Sequence, residues 1–434
     1  MALSRGDRSR LVAPAGVGHD VEEDAMGELQ VDAEPGELGL DATRLARADQ
    51  LLGRYVEAGR LPGWLLLVSR HGKIAHLSTY GHRNREEGLP VETDTLWRIY
   101  SMTKPITSVA AMMLYEQGAF ELNDPVSRFI PEFDAPRVYT HGSDLKPVTE
   151  PANGPIRIWH LLTHTAGLTY GFHRVHPVDA MLRVRGFDWG VPEGMTLTEA
   201  VDVWAGLPLL FHPGTEWNYS YATDVLGRLI EVISGTALDD FLSTHVFGPL
   251  AMSETAFHVA PQDAGRLARL YLASPGGITP GDELGDWVLS PPALLSGGGG
   301  LVSTAADYHR FTQMLLGGGE LDGVRLLGPR TLDYMTRNHL PGGADLETFG
   351  RRVFAETPLN GVGFGLGFAV VDDPVCYRTL SSQGEYNWGG AASTAFWVDP
   401  VEDLTVVLMT QLLPSSTLPL RTHLKQVIYQ ALID

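Results

Sequence analysis

The sequence predicts an α+β fold: an antiparallel sheet built from both chain ends, flanked by helices, with an inserted, mainly helical lobe. Three observations predict it. Apolar, β-prone runs cluster near the two ends, at 64–80 and after 364. From 119 to 295 strand patterns are scarce, and short helical patterns alternate with Pro- and Gly-rich loops, notably 131–155 and 171–195. With 434 residues and 44 % apolar content, the chain can build a large core and two lobes. The expected division is a poorly ordered tail over 1–36, a sheet domain over 37–99 plus 296–434, and a helical domain over 100–295.

Each element has its own signal. The tail is Gly-, Pro- and acid-rich, lacks the continuous apolar stretch of a secretory signal, and contains Met26 as an alternative start. Asp41 caps an expected helix running to about Ala58, with Leu45, Leu52, Tyr55 and Val56 on its apolar stripe. Trp64–Arg70 and Lys73–Tyr80 form an expected hairpin around His71-Gly72. A short extended segment, Leu96–Tyr100, leads into a helix whose apolar residues Ile106, Val109, Ala110, Met113 and Leu114 recur at helical spacing up to Gly118. A helix over about Asp224–Ser234 is closed by Gly235, and another over about Ala305–Leu316 is capped by Ser303 or Thr304. Strands are expected at Phe364–Val371, Ala392–Val398 and Leu404–Gln411, and a closing amphipathic helix at Leu418–Ile433.

The charge, 32 minus 52 or −20, argues against nucleic acid or an anionic membrane surface as partner. No apolar run is long enough to span a bilayer. The single cysteine, Cys376, excludes an intramolecular disulfide and fits a reducing, cytoplasmic location. Its context, after Pro374-Val375, reads as a strand with a packed, inert thiol. His160 and His164 stand at i, i+4, with His173 and His176 following, but no His-Glu-x-x-His occurs and acidic partners are not at ligand spacing. No metal is expected, and His164 reads as holding the loop after its helix. Ser296–Gly300 lacks the Gly-Lys-Ser/Thr ending of a phosphate loop, so no nucleotide cofactor is expected, and the run reads as a tight cleft wall or a turn.

The chemistry concentrates in Ser101-Met102-Thr103-Lys104. Residues three apart share a helix face, so the amine reaches the hydroxyl. Serine needs a nearby base to act as a nucleophile, and a desolvated lysine can be that base. The helix N-terminus adds N–H groups beside an oxygen that turns negative. Alone, the same four residues also describe an N-capping serine and a solvated lysine. Two further signals bear on the choice. Pro213–Tyr221 is a turn ending in two tyrosines, of which Tyr219 is either a proton carrier or an amphipathic wall residue. Ser382–Ala391 precedes a strand, and its paired glycines either let backbone approach a ligand or form a turn plugged by Trp388.

Together these motifs resemble the serine β-lactamase and penicillin-binding-protein superfamily, and within it the family VIII carboxylesterases, which look like class C β-lactamases. The resemblance extends over about 38–430 and includes Ile158–Leu168, Pro249–Met252 and Gly299–Thr304. It implies a β-lactamase/transpeptidase-like fold, Ser101 as nucleophile, Lys104 as its base partner, Tyr219 as second proton carrier, and Trp388-Gly389-Gly390 as the third motif, with an oxyanion N–H from Gly390–Ala391. The sequence departs from that superfamily at two places. Tyr221 stands where an asparagine is usual, and Trp388 where a carboxylate-binding lysine is usual. Losing a cation opposite a desolvated carboxylate costs on the order of 2–5 kcal/mol. The expected activity is therefore hydrolysis of short-chain neutral acyl esters through an acyl-enzyme, with a small-molecule ester as the partner. Competing readings are an acyltransferase on the same scaffold, a weak β-lactamase or D-amino-acid peptidase, and a non-catalytic binding protein. No Gly-x-Ser-x-Gly elbow occurs, which argues against an α/β-hydrolase.

Overall fold

Side-chain alternation sets the architecture. In β1 (Gly63–Arg70), Leu65 and Leu67 enter one apolar layer, while Trp64, Leu66 and Val68 enter the other, as the two-residue period of a strand requires. Both faces are therefore covered. The computed structural model describes residues 29–351 and 358–434.

The sheet continues with β2 (Lys73–Asn84), β3 (Leu89–Pro90), β4 (Val362–Phe364), β5 (Ala369–Val371), β6 (Tyr386–Gly389), β7 (Ala395–Asp399) and β8 (Leu404–Met409). Its order is β4-β5-β6-β7-β8-β1-β2-β3, with every neighbouring pair antiparallel. Strands from the two chain ends meet at β1 and β8, where Leu66 pairs with Leu408. The hairpin at His71-Gly72 has φ of 54° and 72°, the doubly left-handed turn that matches strand twist.

Behind the sheet lie helices α1 (Arg47–Glu57) and α5 (Leu420–Tyr429), with Leu52, Leu424 and Ile428 packed on Leu66, Leu408 and Trp397. In front, α2 (Thr103–Glu116) packs on α3 (Ala222–Ser234), and α4 (Ala305–Leu316) sets Tyr308 and Phe311 against Phe396. Residues 103–112 of α2 are buried on all sides, as expected of a helix at the centre of a core. Truncating a fully buried aromatic such as Trp397 would cost about 3–5 kcal/mol.

Several expectations are corrected. The helix expected over 41–58 breaks into Ala42–Leu45 and α1, the first capped by the Asp41 carboxylate, which accepts the Arg44 N–H at 2.9 Å. The strand expected over 364–371 is two strands, because Gly365–Gly367 reverses the chain. Gly367 has φ of 99°, and a Cβ there would lie 2.3 Å from Ser108 Oγ of α2. Two hairpins, Arg137–Gly142 with Pro147–Pro151 and Tyr271–Ser274 with Gly277–Pro280, lie within the stretch read as poor in strands. The first is mostly exposed and so lacks apolar alternation. Cys376 is exposed, not packed. Asp373-Pro374 starts a short helix, Pro374–Tyr377, in which the Asp373 carboxylate accepts from the Cys376 N–H at 3.0 Å. Hydrogen bonding to that carboxylate raises the thiol above its ordinary range. Of the expected tail, residues 1–28 lie outside the described residues, while Asp32 is tied to Ile74 by N–H to O at 2.9 Å and by a carboxylate accepting at 2.8 Å.

Candidate active site

Ser101 is presented by a sharp change of direction. Trp97–Arg98 pairs with Val302–Ser303, and Tyr100 then takes φ of 44° before a single 3₁₀ turn, Tyr100–Met102, enters α2. A left-handed step at a bulky residue costs about 1–3 kcal/mol and persists where its surroundings fix it. They do: Ile99 N–H donates to Leu301 O at 3.1 Å, and Tyr308 OH to Met102 O at 3.0 Å. Helix α2 has no side-chain cap at its N-terminus. The Ser101 hydroxyl is therefore left for other partners, which removes the N-cap reading.

Those partners are Lys104 and Tyr219. Lys104 is 2 % exposed, so it is not a solvated lysine. Its Nζ donates to Gly298 O at 2.6 Å and lies 3.1 Å from Tyr170 OH and 3.3 Å from Ser101 Oγ. Tyr219 OH donates to Ser101 Oγ at 2.6 Å, and the Lys104 ammonium position is 4.5 Å from the Tyr219 ring centre. Trp388 Nε1 in turn donates to Tyr219 OH at 3.4 Å. Among the described residues, every hydrogen-bond partner of Lys104 Nζ is a neutral oxygen. As an ammonium, it matches three acceptors with three N–H groups. As a neutral amine, it keeps donors for Gly298 O and Tyr170 OH and turns its lone pair to the serine hydroxyl.

Sequence reasoning missed Tyr170, Asp224 and the role of Gly298. Tyr170 lies 66 residues from Lys104 in the chain, and its only signal was its position just after the Ile158–Leu168 motif. Gly298 belongs to the glycine run read as a cleft wall, but what it supplies is a carbonyl. Asp224, at the start of α3, holds that wall: its Oδ1 accepts from Ser296 Oγ at 2.5 Å and from Gly298 N–H at 3.1 Å. A Cβ on Gly298 would lie 2.4 Å from Asp224 Oδ2, so only glycine brings this carbonyl to the lysine. Burial raises the Asp224 carboxyl above its ordinary range, against the pull of the Lys104 charge and the hydrogen bonds from Ser296 and Gly298. Burial likewise lifts Tyr170 well above its ordinary value, with the nearby Asp224 adding to it. His164 is held neutral by burial and by the Lys104 charge. As read from the sequence, it ties loops: its carbonyl accepts from Asn218 N–H at 3.0 Å, and its Nδ1 lies 3.3 Å from Ser220 Oγ.

Trp388 and Gly389 end β6, and Gly390 and Ala391 continue along the same wall of the cleft. Gly390 N–H is occupied by Thr394 O at 2.9 Å. Of the two residues expected to give the second oxyanion donor, that leaves Ala391. Tyr221 caps the start of α3 and touches the cavity. Its ring is stacked at 4.3 Å on Trp204 and packs edge-on to Tyr170, also at 4.3 Å. The third-position residue is thus part of an aromatic core, a different use from the usual asparagine. Ser101, Tyr219, Tyr221 and residues 388–391 line one cavity of about 830 Å³, whose walls include Trp217, Trp287 and Leu294.

The Beta-lactamase family profile matches residues 48–429. Protein Rv1367c of Mycobacterium tuberculosis is 36 % identical over 82 % of this chain and 88 % of its own length. Esterase EstB of Burkholderia gladioli is 32 % identical over 87 % and 93 %. Among solved structures, EstCE1, described as a hydrolase with promiscuous acyltransferase activity, superimposes with a TM-score of 0.75 at 28 % identity, covering 89 % of this chain and 99 % of its own. The β-lactamase/transpeptidase-like fold implied by the motifs is the fold observed.

Proposed function

The chain belongs to the Beta-lactamase family as a serine hydrolase of family VIII esterase type, and on that footing we propose that it cleaves uncharged esters through an acyl-enzyme on Ser101. One observation carries the reading: a serine oxygen 2.6 Å from Tyr219 OH and 3.3 Å from Lys104 Nζ, facing a largely apolar cavity. Lys104 takes the Ser101 proton as Oγ attacks the ester carbonyl. The oxyanion forms at the N-terminus of α2, with Ala391 N–H as the second donor. Tyr219 hands its proton to the departing alkoxide and is recharged from Lys104. Water then repeats the sequence on the acyl-enzyme. Asp224 acts through Gly298, keeping the carbonyl that orients Lys104 in place.

Trp388 supports the preference for uncharged esters, because its N–H is directed at Tyr219 and its indole supplies no cation for a carboxylate. Acyl transfer to an alcohol is the second reading, favoured by a cavity with room for an acceptor beside the acyl group. A panel of p-nitrophenyl esters from acetate to palmitate, run with and without added alcohols, tests both. Turnover by the wild type and none by Ser101→Ala is expected. Equal turnover by the two would overturn the proposal, and transesterified product would establish the transferase.

A further inference from the structure

Asp224 is a carboxylate where an amide would hold the same structure. It lies in the first turn of α3 and is 1 % exposed. Its Oδ1 accepts both hydrogen bonds that fasten the glycine run, from Ser296 Oγ at 2.5 Å and from Gly298 N–H at 3.1 Å. Its Oδ2 is buried and has no hydrogen-bond partner among the described residues. Asparagine has an oxygen that could accept the same two bonds, and it carries no charge. A buried carboxylate is costly unless an opposite charge compensates it. Holding the wall therefore does not account for an acid at this position.

The compensating charge lies across a single residue. Gly298 gives its N–H to Asp224 and accepts from Lys104 Nζ at 2.6 Å through its carbonyl. Burial raises the Asp224 carboxyl, and the Lys104 charge is the strongest of the influences that oppose the rise. Such an interaction is mutual, so a charged Asp224 favours the ammonium form of Lys104. The other titratable groups packed around the pair are Tyr170, Tyr219, Tyr221 and His164. Burial, with Asp224 adding to it, lifts Tyr170 and Tyr221 above their ordinary values, and His164 is held neutral, so these three supply no charge. Asp188, a further carboxylate acting on Tyr221, is ion-paired with Arg174.

We propose that Asp224 is a positioning residue whose negative charge stabilises the ammonium formed when Lys104 accepts the Ser101 proton. As the Oγ–H bond breaks and an Nζ–H bond forms, Oγ bonds to the ester carbon and the carbonyl oxygen becomes the oxyanion. The new cation then sits among neutral hydrogen-bond partners, with Asp224 as its counter-charge through space. The inference rests on the ester-hydrolase reading of the same site and adds what sets its pH dependence.

The test compares two variants. Asp224→Asn keeps an oxygen for Ser296 and Gly298 and loses the charge, whereas Ser296→Ala loses a hydrogen bond and keeps the charge. The kcat/KM for p-nitrophenyl butyrate is followed from pH 5 to pH 10. Without its counter-charge Lys104 gives up a proton more readily, so the pH of half-maximal kcat/KM is expected to fall by about one unit or more in Asp224→Asn. In Ser296→Ala it is expected to stay in place. An unmoved or raised half-maximum in Asp224→Asn, or an equal shift in the two variants, would overturn the proposal. A second arm needs no turnover. Urea denaturation at pH 6 compares wild type, Asp224→Asn, Lys104→Met and the double variant. The two losses are expected to be less than additive, because each single variant removes one half of the same interaction. Additive losses would contradict the charge pair. If Asp224→Asn does not fold alone, Lys104→Met is expected to restore folding, and a double variant that stays unfolded would make Asp224 purely structural. Non-additive losses without any ester turnover by wild type would sink the hydrolase reading and leave the charge pair standing.

Discussion

Two lysines are buried in this molecule, and they differ in what touches them. Lys104 and Lys425 are each 2 % exposed. Among the described residues, Lys104 in front of the sheet hydrogen-bonds only to neutral oxygens. Lys425, on α5 behind it, donates to the Glu385 carboxylate at 2.5 Å, with Tyr429 OH 3.1 Å from the other carboxylate oxygen and 2.6 Å from Asp399. Burial alone would lower the Lys425 value, but Glu385 and its neighbours raise it above the ordinary range. Lys425 is thus held as a cation that ties Glu385, the residue before β6, to the C-terminal helix, whereas Lys104 has no carboxylate among its hydrogen-bond partners in the described residues, Asp224 acting on it only through space. A buried lysine is structural or chemical according to its partners, and burial alone does not distinguish the two.

The sharpest way to break this contrast is the same substitution at both positions. Lys104→Met should lower kcat/KM by on the order of 10²–10⁴-fold, with a modest change in stability, since it removes hydrogen bonds to neutral groups. Lys425→Met should cost about 3–5 kcal/mol of stability by leaving Glu385 buried without its partner, while the folded fraction keeps kcat/KM within a few-fold. Urea denaturation and esterase assays on both variants check this, and a swap of the two phenotypes would reverse the assignment. Within the site, Tyr219→Phe should also lose most activity, and the Lys104→Met/Tyr219→Phe double variant should be little worse than either single one, because the proposed mechanism makes the two one proton-transfer unit. Additive losses would mean that they act separately.

The two regions also differ in their response to acid. His160, packed beside the front layer, has its value pushed down to about 3 by burial and then by the Arg157 charge. It is neutral in the fold but takes a proton in the unfolded chain below about 6.5. The stability it contributes is full above that pH and is lost as pH falls toward 3, amounting to about 2 kcal/mol by pH 5. Glu385 is shifted the other way: burial raises it, against the Lys425 charge, so the folded state takes up its proton more readily and acid does not loosen that half through this group. His160→Asn should therefore lose about 2 kcal/mol less than wild type between pH 7 and pH 5 in urea denaturation. An identical loss would show that His160 is not what makes the fold acid-sensitive.

The smallest expected effect is at Trp388. Trp388→Lys should raise the ratio of kcat/KM for nitrocefin to that for p-nitrophenyl butyrate, because it restores a cation where a substrate carboxylate would lie. The gain is limited by Tyr221, still packed on Trp204. An unmoved ratio in a folded variant would make Trp388 a packing residue and the donor to Tyr219, with no part in specificity.

What the sequence disclosed follows from the range over which each feature is determined. Ser101 and Lys104 were legible because one helical turn relates them. β1 and β2 were legible because a two-residue turn and continuous apolar runs are local. Tyr170 and Asp224 were not, since their roles depend on Lys104 and Gly298, which only the folded chain brings to them. The glycine run was visible, but its purpose depended on the Asp224 carboxylate 2.4 Å from where a Gly298 Cβ would sit. Cys376 was misread because Pro374-Val375 has strand-like composition, while Asp373 caps a helix start.

The central claim is that Ser101 is the nucleophile that Lys104 and Tyr219 serve. Intact-protein and peptide mass spectrometry after treatment with a fluorophosphonate tests it most directly. A single adduct on the peptide carrying Ser101 is expected in wild type, labelling slower by at least tenfold in Lys104→Met, and no adduct in Ser101→Ala. An adduct at another residue, or undiminished ester hydrolysis by Ser101→Ala, would contradict the account.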